Sequence, residues 1–128
     1  MNPKNSLSTK FFIVIMVSIC LLCACGPQTS SIYDDMSTGT KSACKKIVEY
    51  TDQYIELDLS YDDFDEKYEE CAARIEKNTT ADTLASASAT NLHLTINQNH
   101  RGSATTDDII EARDELAETV GIKPYKKK

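Results

Sequence analysis

Glycine is scarce, with four residues in a chain of 128, and none of them forms a glycine-rich phosphate loop. The GxSxG and HExxH signatures are also absent, so nothing marks a nucleophile elbow or a metalloprotease helix. Ser86 and Ser88 stand among alanines and read as helix packing. A small bundle with no evident deep pocket is not expected to be an enzyme. Histidine is scarcer still. His93 and His100 lie seven apart, and the second falls in a polar stretch with no cysteine or spaced acid beside it. Zinc requires three or four convergent ligands, so the pair reads as exposed and idle, and no cofactor is expected. Long apolar runs are missing too. The one run, Phe11 to Leu22, is broken only by Ser18. Its length as a helix is roughly 18 Å, short of a ~30 Å hydrocarbon core. A membrane-spanning helix is therefore not expected.

That run is preceded by Lys4 and Lys10 and closed by Leu22-Cys23-Ala24-Cys25, the order of a cleaved signal segment. The four closing residues resemble the lipobox of bacterial lipoproteins. The resemblance covers residues 1–25 and implies cleavage before Cys25, which then carries diacylglycerol and palmitate. It also implies an anchor in the bacterial cell membrane facing outside the cytoplasm, since two or more acyl chains hold durably where one does not. Gly26 is not the aspartate that would suggest inner-membrane retention.

Removing residues 1–24 leaves 12 bases against 20 acids, a net charge of about −8. Nucleic acid is not an expected partner for so acidic a body. Residues 25–40 read as a lipidated, breaker-rich tether without helical periodicity, reaching roughly 20 Å.

From Lys41 helical spacing takes over. Cys44, Ile47, Val48, Thr51, Tyr54 and Ile55 recur on a single stripe. Ser60 is a natural N-cap, with Asp62 and Asp63 favourable in the first turn behind it. Tyr61, Phe64, Tyr68, Cys71 and Ile75 form the next stripe. Asn78-Thr79-Thr80 ends one helix and caps another. Leu92 to Ile96 alternates with period two, but no second strand candidate exists to pair with it, so helix is favoured over 81–97. Residues 97–104 read as a loop. Thr105 or Thr106 caps a last helix, and Gly121 stops it. The expected fold is all-α: a small antiparallel bundle of three or four helices over 41–121, then a basic tail, 122–128. That tail suits either an anionic surface or a frayed end.

Cys44 and Cys71 lie on consecutive stripes. A hairpin turning near Leu59 sets them about three residues from level, within reach of a disulfide. Such a bridge suits an exported domain and is worth ~3.5 kcal/mol on chain-entropy grounds. Two free thiols acting as small core hydrophobes are the alternative.

Between Glu49 and Glu70 stand ten acids and one base, Lys67. A solvated acidic face accounts for this. A sharper reading counts Asp58 as position one of a calcium loop, which puts Ser60, Asp62, Glu66 and Glu69 at oxygen-bearing positions. Asp63 then stands where that loop demands glycine, so Asp58, Asp62 and Glu69 are weak calcium candidates.

Two functional expectations follow from the sequence. The first is an accessory lipoprotein that binds a protein partner in the cell envelope through an exposed patch involving Tyr33, Tyr50 or Leu57. The second is a lipoprotein that binds a divalent cation or small ligand at the acidic hairpin 49–70.

Overall fold

The computed structural model describes residues 33–128, so Cys25 and the segment that resembles a lipobox lie outside the described residues. The described part is all-α. Four helices follow in order: α1 (Thr38–Ile55), α2 (Tyr61–Ala72), α3 (Thr80–His100) and α4 (Thr106–Thr119). Among the described residues there is no strand, and Leu92 to Ile96 lies wholly inside α3.

The caps fall where the sequence placed them. Ser60 Oγ accepts the Asp63 amide at 3.1 Å. Thr79 with Asp82, and Thr105 with Asp108, form reciprocal capping boxes that occupy two otherwise unpaired N–H groups each. Gly121, at φ 72°, turns the chain out of α4 while Ile122 N donates to Ala117 O at 2.8 Å, the six-to-one bond of a Schellman stop. One helix breaks the pattern. Just past the end of α1 stands Leu57, a non-glycine residue at φ 63°, in the left-handed region that costs an ordinary side chain about 1–2 kcal/mol.

The order is up-down-up-down. Ser37 meets Asp82, and Tyr54 meets Asn99, each pair 45 residues apart, so α1 and α3 run parallel in constant register. Between them α2 runs antiparallel to α3, with Tyr61 stacked on His100 and Tyr68 on His93. Phe64, Ile47, Leu92, Ile96, Ile109 and Leu116 are buried completely or nearly so at the centre. Each contributes about 1.5–3 kcal/mol by leaving water.

The domain starts earlier than the sequence indicated. Met36 and Thr40, placed in the tether, are buried in the folded body. The reason is Asp82, a carboxylate with no exposed surface. It accepts Ser37 N at 2.8 Å and Ser37 Oγ at 2.6 Å, as well as the amides of Asn78 and Thr79. One side chain thus fixes the N-termini of both parallel helices, where the helix dipoles favour negative charge. Thr40 Oγ1 adds a bond from Glu76 N at 2.9 Å.

The basic tail does not fray. Arg113, almost fully buried, holds Asp52 through two bonds of 2.8 and 3.0 Å and donates to Lys123 O at 2.8 Å. Asp114 accepts the Tyr125 amide, and Lys127 and Lys128 reach Asp107 and Glu56. The tail therefore climbs back along α4, and two of its four lysines pair with the body's own acids.

Candidate functional site

The sequence's candidates separate in three dimensions. Cys25 is outside the described residues. Cys44 and Cys71 are both buried, both free and not within bonding distance, so the expected bridge is absent. Burial first, then Cys71 and Asp82, pushes the Cys44 thiol up to about 12. Cys71 is raised by burial too, but Arg74, Lys46 and Lys67 oppose the shift. The two thiols serve as small core hydrophobes.

The calcium reading fails on the backbone. Residues 61–72 are continuous helix, so Asp62 and Glu69 stand about two turns apart, and Asp58 precedes the helix. No loop wraps an ion there.

Tyr33 and Tyr50 do not join Leu57 in one patch. Lys41 covers the Tyr33 ring at 4.4 Å and Lys67 the Tyr50 ring at 5.1 Å, so ammonium groups shield both faces. Leu57 stands apart, 90% exposed, at the end of the bundle away from Ser37 and Asp82. Beside it opens a groove of about 440 Å³, lined by residues of 54–61 together with Asn99, His100, Thr106 and Ile109. Its walls are braced. Tyr54 donates to Asn99 Oδ1 at 3.1 Å, and Asn99 Nδ2 donates to Ala104 O at 2.9 Å. The Tyr61 and His100 rings stack at 3.9 Å, nearly parallel. Burial, and then Tyr61, pushes the Tyr54 hydroxyl up, so it remains a donor. A larger opening of about 660 Å³, between α4 and the tail, is lined mainly by Glu111, Asp114, Glu115 and Glu118 and carries no ring or imidazole.

The histidines are not idle. Besides the His100 stack, His93 Nε2 lies 2.6 Å from Asp65 Oδ1, and its ring stacks on Tyr68 at 4.0 Å. Glu69, one turn along α2 from Asp65, completes a trio whose ligand atoms all lie within 4.8 Å of one another. The i, i+4 spacing of Asp65 and Glu69 was readable in the sequence. The third member was not, because it required the register of α3 against α2.

No family model, curated protein or solved structure matches the chain. Among the described residues no helix is long and apolar enough to cross a membrane.

Proposed function

We propose that the chain is a lipid-anchored accessory protein of the bacterial cell envelope, whose bundle binds a protein partner with the groove at its Leu57 end. The observation that carries this reading is Leu57 itself: a large apolar side chain, 90% exposed, at a left-handed position of φ 63°. The left-handed angle lets Asp58 N close the end of α1 on Gln53 O at 2.8 Å, but no neighbour covers the side chain. The position supports the reading as well. The chain leading from Cys25 enters at the Ser37–Asp82 end, and α1, with 18 residues, rises about 27 Å before Leu57. The groove thus lies at the end of the bundle opposite the one where the chain from Cys25 enters. Tyr54, Tyr61 and His100 offer flat, braced rings with polar edges, the residue types that anchor protein interfaces.

A photo-cross-linking residue at exposed Asp58, beside the groove, is expected to give a discrete adduct in the native envelope. The same residue at Ala87, on the outer face of α3, is expected to give none. Leu57→Asp should abolish the Asp58 adduct while membrane association and melting temperature hold. Equal adducts from both positions, or an adduct indifferent to Leu57→Asp, would overturn the reading.

A further inference from the structure

The geometry points to a second site, independent of the Leu57 groove: we propose that Asp65, Glu69 and His93 bind a transition-type divalent cation such as Zn²⁺ on the flank of the bundle. Their ligand atoms already lie within 4.8 Å of one another. Ligands about 2.0–2.2 Å from one ion stand roughly 3–3.6 Å apart, so side-chain adjustments of about an ångström suffice. Two helices supply the trio. Asp65 and Glu69 share one face of α2, and His93 crosses from α3, so both backbones are fixed by the core beneath.

The imidazole is held in place. Tyr68 lies against it at 4.0 Å with rings 14° from parallel, and Phe64 sits 6.5 Å away on the same helix. A ring clamped in this way presents Nε2 to the carboxylates in a set direction, at little further ordering cost. The Asp65 and His93 side chains are 43% and 22% exposed, which leaves water a route to the open coordination positions.

The donor set selects the metal class. One imidazole nitrogen with two carboxylate oxygens suits zinc and its neighbours. Calcium requires six to eight oxygens and magnesium an octahedron of them, which three side chains of this mixed kind do not provide. The surrounding face of α2, with Asp62, Glu66 and Glu70, draws cations toward the trio. The cation binding that the sequence suggested around Asp58, Asp62 and Glu69 is thereby relocated. Only Glu69 belongs to both sets.

Calorimetry with Zn²⁺ on the full chain in detergent tests the proposal. One saturable equivalent is expected, together with a rise in melting temperature. His93→Ala and Glu69→Gln should each weaken binding roughly tenfold or more, while His100→Ala leaves it unchanged. Glu69→Gln keeps the Asp65–His93 contact, so it remains informative even if His93→Ala disturbs the packing. Substitution with Co²⁺ should give a spectrum without thiolate charge transfer, which separates this trio from Cys44 and Cys71. Absence of saturable heat, binding indifferent to Glu69→Gln, or a thiolate band would each overturn the assignment.

Discussion

Leu57 shows how one residue can oppose the fold that holds it. Every hydrogen bond at the end of α1 is satisfied: Leu57 N reaches Tyr54 O at 3.2 Å and Asp58 N reaches Gln53 O at 2.8 Å. The strain lies only in the backbone angle, and the side chain touches almost nothing. Leu57→Gly should therefore stabilise the protein by about 0.5–1 kcal/mol, the relieved strain less the extra freedom glycine has when unfolded. A thermal melt should show a rise of roughly 3–6 °C, with loss of the Asp58 cross-link. An unchanged or lower melting temperature would mean that the side chain supports the fold after all. The sequence identified Leu57 because it lay off both apolar stripes, but it gave no warning of the positive φ. Cys44 and Cys71 were a harder case. Their stripes placed them correctly in the core, but whether two sulfurs meet depends on the rotation of each helix about its axis, and a periodic pattern leaves that angle loose.

At the scale of elements, the caps were legible because they are local. Ser60, Thr79 and Thr105 each act within three residues of themselves. Asp82 is the exception that shifted a boundary. Its bond to Thr79 follows the Thr-x-x-Asp spacing, whereas its bonds to Ser37 span 45 positions and leave no trace in any window of sequence. Its ionisation follows from that environment. Burial alone would raise the carboxyl, but donors on Ser37, Thr40 and Asn78 outweigh it and hold the group far below the usual carboxylate range. A carboxyl with a depressed folded-state value contributes stability above its unfolded value of about 3.9. That contribution is lost as pH falls below about 4 toward the folded value. Asp82→Asn should lower the melting temperature at neutral pH by roughly 5–15 °C, and the gap to the parent should narrow as pH falls below about 4. Melts across that range, followed by circular dichroism, measure it. A gap constant with pH would show that the carboxylate's charge is not what joins α1 to α3.

At the scale of the molecule, the all-α bundle followed from stripe spacing and from the absence of a second strand. Its lower edge and its tail did not, because both are set by long-range polar contacts rather than by periodicity. Those contacts also bear on the proposed lipid anchor. With residues 33–40 folded, only 26–32 separate Cys25 from the domain, a span of at most about 25 Å even fully extended. Residues 25–128 carry a net charge of about −8, which anionic headgroups repel. Two of the four lysines of the basic tail are already engaged: Lys127 lies 2.6 Å from Asp107 and Lys128 lies 3.1 Å from Glu56. On the proposed lipoprotein reading, charge is a weak second hold, and retention would rest on acylation at Cys25. Replacing Cys25 with serine should abolish incorporation of a clickable palmitate analogue. It should also move the protein from the membrane fraction to the soluble one at physiological salt, where surface attraction is screened beyond about 8 Å. A parent protein that takes up no label would remove the lipid anchor. A serine variant that sediments with membranes as fully as the parent would place the hold elsewhere in the chain, on an uncleaved apolar segment or on a membrane-bound partner at the Leu57 groove. Adding Leu57→Asp to the serine variant separates those two, since only the second hold is released by it.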